Sequence, residues 1–292
     1  MTTQALAAPA PRTGHDTVPL PRLVTAELRW IFRRPRTLAV LGLLALVPIV
    51  IGIGLTLVGQ GDAGGGPDNS GGALLGAAVN NALVLPIAAM VMTLTLLLPL
   101  ASAMAGADAI AGEAAHGTLR GWLIAPVSRG RLLVVKSFGV ATVSLVAVLS
   151  MCVTGVVTGL IINGTGSLFT LSGNTLSLVD ALGRILLAAA WIVLQLWAVG
   201  AVALAVSSFT EHPMLVVVSV LAGNIVFTIL GFLTSLDWLH PFLLTQNWTL
   251  APAEVLQDPM TSTMLGEGAL RAVCYIVVGL SIAYARLTTR DG

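Results

Sequence analysis

Apolar residues run in six long stretches separated by short polar ones, and this alternation is the dominant pattern of the chain. A hydrocarbon core of ~30 Å is crossed by about 20 residues of helix. Stretches of that kind lie near 38–58, 82–105, 138–162, 185–207, 214–236 and 269–286. The predicted fold class is therefore all-α, a polytopic membrane protein with six transmembrane helices. Pro86 and Pro99 in the second stretch predict kinks rather than breaks, because neighbouring helices can re-satisfy freed carbonyls. Ahead of the first stretch the period changes. Leu20, Leu23, Val24, Leu28, Ile31 and Phe32 recur at helical spacing, while Arg22, Glu27, Arg29 and Arg33 point elsewhere. This predicts an interfacial amphipathic helix over 20–37 that lies in the headgroup plane and turns into the bilayer at Pro35. Residues 1–19, rich in Ala, Pro and Thr, read as a disordered tail, and 38–292 as the six-span domain.

Composition agrees. Of 292 residues, 56% are hydrophobic and 9% charged, against about 25% charged in soluble domains. Mean hydropathy is +0.95. The net charge of +1 says little, but its distribution says much: twelve of the fourteen basic residues fall on one side of the predicted membrane. They lie in the amino-terminal segment (Arg12 to Arg36), the loop after the second span (Arg120, Arg129, Arg131, Lys136) and the tail (Arg286, Arg290). The positive-inside rule then puts both termini in the cytoplasm of a plasma membrane. Arg184 and Arg271 remain at the outer edges, where they are expected to snorkel to the interface, with contact to a lipid headgroup or an anionic substrate as the alternative. Thirteen Arg to one Lys points to a GC-rich bacterial genome. Outer residues 60–80 are Gly-rich and flexible; residues 237–268, with two Trp and three Pro, predict a structured, partly re-entrant or interfacial segment. Asn163-Gly-Thr and Asn247-Trp-Thr match a glycosylation pattern that has no role in a bacterial protein. Cys152 and Cys274 sit in apolar runs as small hydrophobes.

The longest loop on the arginine-rich side, 108–136, opens with Asp108 and Glu113, stops at Pro126, and has Ser128 placed to cap a new helix. The order Gly112-Glu113, Gly117-Thr118-Leu119, Pro126-Val127-Ser128-Arg129, Leu132-Leu133 and Lys136 resembles permeases of type-2 ABC exporters. AELRWIFRRPRTLAV is similar to that family's connecting helix. The resemblance implies a six-span subunit that dimerises, as homo- or heterodimer, and pairs with two cytoplasmic ATPase subunits. It implies that the loop is a coupling helix docking on the ATPase, with Glu113, Gly117, Thr118, Leu119, Pro126 and Arg129 as its surface. Ala115 and Arg120 depart from the charged pattern usual there. No cofactor is expected in this chain: there is no GxxxxGK[ST] loop, so ATP and Mg belong to the partner. No HExxH, zinc cluster or nucleophile elbow occurs, and no nucleic acid is expected as a partner. His116 reads as a solvated loop residue.

The second span shows Asn81, Ala88, Thr95 and Ser102 at seven-residue spacing with Met92 nearby. The fifth shows Ser219, Gly223, Phe227, Gly231 and Ser235, with Asn224 and Thr228 beside them. Such stripes commonly mean close packing. Because the second and fifth spans line the pathway in the exporters that the chain resembles, Met92, Thr95, Ser219, Asn224, Phe227 and Thr228 are candidate pathway residues for a hydrophobic or amphiphilic substrate, a drug, antibiotic or lipid. Ion or metal-related export is the alternative. A secondary carrier needs a titratable group within a span, and no Asp, Glu, Lys or His lies mid-span; a membrane enzyme has only His240 with Asp237 to offer. Gln195, and the Gly155-x-x-x-Gly159 face, read as interhelical packing.

Overall fold

The computed structural model describes residues 19–58, 74, 76–79, 81–115, 128–164, 168, 170 and 174–289. The tail, most of 60–80, and His116, Gly117, Thr118, Leu119, Arg120 and Pro126 of the loop lie outside the described residues.

Helix α1 (Leu20–Arg33) stops at Arg34, whose backbone is extended ahead of Pro35, and α2 (Pro35–Val58) follows at once. The second apolar stretch forms two helices, α3 (Val84–Leu94) and α4 (Leu97–Ala107), bent by 56°. Pro99 accounts for the position of the bend. Its ring excludes the carbonyl four residues back, that of Thr95, where α3 ends and Leu96 leaves helical geometry. The expected kink is thus a break, and Pro86 makes no kink because it sits in the first turn of α3, where a missing N–H costs nothing. A π-helical turn, Asp108–Gly112, and a last turn, Glu113–Ala115, extend α4. Helices α5 (Arg129–Asn163), α6 (Leu178–Ser207), α7 (Pro213–Gly231) and α8 (Thr263–Thr289) complete the bundle. Among the described residues five helices are long and apolar enough to cross a membrane, or six where the bent pair is one span. No β-strand occurs among the described residues.

Helix ends depart from the predicted bounds where polar groups find partners. The loop predicted over 108–136 is helical at both ends, so that helix α5 begins nine residues before the predicted third span. Ser128 accepts the Arg131 N–H as its cap. The α6 start is capped likewise by Ser177, which accepts from the Asp180 N–H.

Helix α6 is the axis of the bundle, packing on α4, α5, α7 and α8. Helix α5 packs on α2 and α3 through its glycine face. A Cβ on Gly159 would fall 2.7 Å from the Ala82 carbonyl oxygen, and one on Gly155 would fall 2.8 Å from Pro86 Cα. Only glycine permits this approach. After α7 the chain makes 3₁₀ turns (Thr234–Phe242) and then dips inward. Leu243, Leu244, Trp248, Ala251, Val255 and Leu256 are buried, and the short helix Ala251–Glu254 touches α3, α6 and α8. Asn247 takes the left-handed conformation (φ 65°) within this segment.

Candidate functional site

The arginine-rich end gathers α1, the extension of α4 and the starts of α2 and α5. Gly139 lets α1 lie directly on α5: a Cβ there would sit 2.8 Å from Ile31 Cδ1 and 3.3 Å from Glu27 Cγ. That approach carries Glu27 inward, not to solvent as its place among the polar residues of α1 predicts. Lys136 Nζ donates to Glu27 Oε1 and Oε2, each at 3.0 Å, and also to Glu113 Oε1. All three are buried, with Lys136 1%, Glu27 5% and Glu113 4% exposed. Buried charges persist only when paired and hydrogen-bonded, and here one ammonium joins three elements. Glu113 therefore faces Lys136 rather than the surface on which docking was expected.

A second ionic group lies beside the first. Asp108 Oδ2 accepts from Arg34 at 3.3 Å and from Arg36. The Arg34 guanidinium stacks on Trp30, 3.2 Å from the ring centroid, with Lys136 Nζ 5.5 Å from the same ring. Burial pulls the Arg34 pKa below its ordinary value and the Asp108 carboxylate opposes that shift. Three cations and two of the carboxylates, Glu27 and Asp108, line a narrow cleft walled by Val40, Leu41, Met104 and Val140, with Glu113 bonded to Lys136 at its side. Arg129 points elsewhere. Its Nη1 donates to the carbonyls of Leu287 at 2.7 Å and Thr288 at 2.8 Å, so it caps the end of α8, where orphan carbonyls attract a cation.

The far end is built differently. Arg184 and Arg271 do not simply snorkel; their guanidiniums hold backbone of the inward-dipping segment. Arg184 donates to the carbonyls of Val255 (3.0 Å) and Gln257 (2.7 Å). Arg271 donates to those of Pro241 (2.8 Å) and Gln246 (3.1 Å). Glu254, 5% exposed, accepts the N–H groups of Met264 (3.3 Å) and Leu265 (3.1 Å) and the Thr261 hydroxyl, capping α8 with a carboxylate. Gln195 donates to the Gly268 carbonyl and accepts from the Trp248 indole, while the Trp191 indole donates to the Leu265 carbonyl. His240 accompanies Asp237 (3.6 Å) in an exposed turn, where His240 Nε2 also meets the Leu230 carbonyl. Among the described residues no cluster of His, Cys, Asp and Glu could hold a metal.

The candidate pathway residues do not form one surface. The break at Thr95 divides the seven-residue stripe. Met92 and Thr95 are exposed, whereas Ser102 is buried and donates to the Leu196 carbonyl at 2.8 Å. On α7, Asn224 is buried, Thr228 donates back to the Asn224 carbonyl, Phe227 meets Tyr275 edge to face, and Ser219 is exposed.

Sequence reasoning passed over Glu27, Asp108 and the engagement of Lys136. The available sign was a lone lysine set in the apolar run LLVVKSF of a chain that otherwise uses arginine. No match is found among curated proteins. Residues 23–292 match the ABC-2 family transporter protein, a span that runs from α1 through every helix described above. The chain is a multi-pass membrane protein and belongs to the ABC-2 family of transporters, as a permease whose family implies ATP-binding-cassette ATPase subunits as partners.

Proposed function

We propose that this permease is the translocation subunit of an ATP-driven exporter of hydrophobic or amphiphilic molecules in a bacterial plasma membrane, with its arginine-rich end in the cytoplasm. Two permease chains and two ATPase subunits make the complex, and ATP with Mg binds to the ATPases alone. The observation that carries the reading is the Glu27–Lys136–Glu113 node. It joins α1, the end of the second span and the start of the third, the two helices that flank residues 116–127. Displacement of that loop by an ATPase has a buried charged joint through which to reach both spans. Gly117, Thr118, Leu119 and Pro126 are the docking contacts on this reading. Glu113 becomes the anchor behind them, and Arg129 is the link from the loop's end to α8.

Such a joint suits switching because its alternatives are discrete: an ammonium shared by two carboxylates can favour one or the other as the elements shift. The far-end segment then closes the opposite mouth, and the weakly polar groups Met92, Thr95, Ser219, Asn224, Phe227 and Thr228 border the route within the dimer. The absence of a titratable residue in mid-span agrees with an energy source outside this chain.

The test is purification of the tagged chain in mild detergent with whatever ATPase accompanies it, then ATP hydrolysis and efflux in proteoliposomes. A stoichiometric ATPase is expected, with Glu113→Gln retaining it but uncoupling hydrolysis from efflux by about tenfold, the effect of a ~1.4 kcal/mol change in coupling. An intact chain that repeatedly comes without an ATPase overturns the proposal. Retained ATPase with full coupling in Glu113→Gln removes the node from it.

A further inference from the structure

An open groove runs between α5, α6 and α8 on the outside of the chain, walled by Val134, Phe138, Trp197, Leu204, Ile276 and Leu280, with a free volume of about 480 Å³. Its polar atoms are already satisfied within the helices. The Trp197 indole donates to the Ala141 carbonyl at 3.0 Å, and the Ser137 hydroxyl donates to the Val134 carbonyl at 3.0 Å. What remains for an occupant is an apolar trough.

Its length has a physical counterpart. On α5 the trough extends from Val134 to Leu145, and eleven residues of helix rise about 16 Å. One leaflet contributes half of a ~30 Å hydrocarbon core. The trough is therefore about as long as one leaflet is deep, and its Val134 end lies towards the arginine-rich end. There Arg131 precedes Val134 by one turn, and the spacing 131, 134, 138, 145 keeps all four on one side of α5. Tyr284, half exposed, packs beside the residue before it: a Cβ on Gly130 would lie 3.4 Å from the Tyr284 ring.

Arg131 differs from the other basic residues of its helix. Arg129 is spent on the end of α8 and Lys136 on Glu27 and Glu113, whereas among the described residues the Arg131 guanidinium has neither carboxylate nor carbonyl. We propose that this groove holds an anionic phospholipid, with one acyl chain against Trp197 and Phe138 and the headgroup phosphate at Arg131. A guanidinium binds phosphate through paired N–H donors, and a trough of leaflet depth aligns the chain beneath it. The site needs only the membrane-spanning fold, so its loss leaves the transport reading untouched.

The experiment places the full-length chain in phosphatidylcholine nanodiscs and titrates in brominated phosphatidylglycerol or brominated phosphatidylcholine. The contribution of Trp197 to the quenching is the difference between the natural chain and Trp197→Phe. Brominated phosphatidylglycerol is expected to quench Trp197 at a several-fold lower mole fraction than the zwitterionic lipid. Arg131→Gln erases that preference and leaves phosphatidylcholine quenching unchanged, which also shows the variant to be folded. Equal quenching by the two lipids in the natural chain means ordinary annular contact and overturns the proposal. No quenching by either means that another chain covers the groove, and overturns it as well. Phosphatidylglycerol retained through purification, counted by native mass spectrometry and lost in Arg131→Gln, repeats the test without altering Trp197.

Discussion

The two ends of the bundle use arginine, lysine and glutamate in opposite ways. At the arginine-rich end charge meets charge: Lys136 with Glu27 and Glu113, and Arg34 and Arg36 with Asp108. At the far end charge meets mainly backbone: Arg184 and Arg271 hold carbonyls and Glu254 holds N–H groups, and the one guanidinium–carboxylate pair there among the described residues, Arg184 with Asp258, is long at 3.8 Å. Each of these guanidiniums is clipped to two carbonyls of one segment, so it holds that segment in place. A carboxylate shared among cations can exchange one for another at modest cost. The first end has the chemistry of a switch, the second that of a latch. Arg129 is the exception that links them, since it sits at the switch end but grips the carbonyls of α8, whose opposite terminus Glu254 caps.

The contrast breaks or sharpens under substitution. The largest effect belongs to Lys136→Met, which strips two buried carboxylates of the ammonium they share. About 3–5 kcal/mol of stability is expected to be lost, read by steric trapping in bicelles. Adding Glu27→Gln and Glu113→Gln to it returns most of that loss, because the charge imbalance is gone. Glu254→Ala comes next, at about 2–3 kcal/mol for the loss of charged hydrogen bonds to buried N–H groups, with faster amide exchange confined to the first turn of α8. Arg271→Ala releases the latch more gently. Exchange of amides in 241–248 should quicken while α5 and α6 keep their protection, and global stability should fall by about 1–2 kcal/mol. Should Arg271→Ala unfold the bundle as thoroughly as Lys136→Met, the far segment is part of the core and the distinction between latch and switch fails. The smallest effect is that of Arg36→Ala, under about 1 kcal/mol and shrinking further in high salt, because Arg36 is half exposed and Arg34 still serves Asp108.

The spans were legible because lipid imposes a length and a composition on each of them, and both can be read residue by residue. Their ends were not. Arg129 to Lys136 belong to α5 because Ser128 caps the helix and two of its basic residues find partners, and partners cannot be counted along a chain. The ionic node was hidden for the same reason. Glu27 and Lys136 lie 109 residues apart, and on a helical wheel Glu27 looks like one more polar residue of an amphipathic helix. The Gly155 and Gly159 packing face was legible because small residues four apart have few other uses in a span. The arginines of the far end were misread because a carbonyl that accepts a guanidinium leaves no mark in the sequence. The stripe through Thr95 failed on a different ground: a seven-residue register assumes a continuous helix, and Pro99 ends it.

That break changes the mechanics of the second span. A straight rod pushed at Ala115 would deliver an axial stroke at the opposite membrane face. A rod jointed at Thr95–Leu96, with its α3 half seated on the glycines of α5 and its α4 half against α6, has no such stroke to deliver. On the coupling proposed above, force applied along the α4 half would emerge at the joint as a sideways swing, where Thr95 and Leu96 lie exposed. On that coupling the span would work as an elbow, and what an elbow moves is the seam beside it.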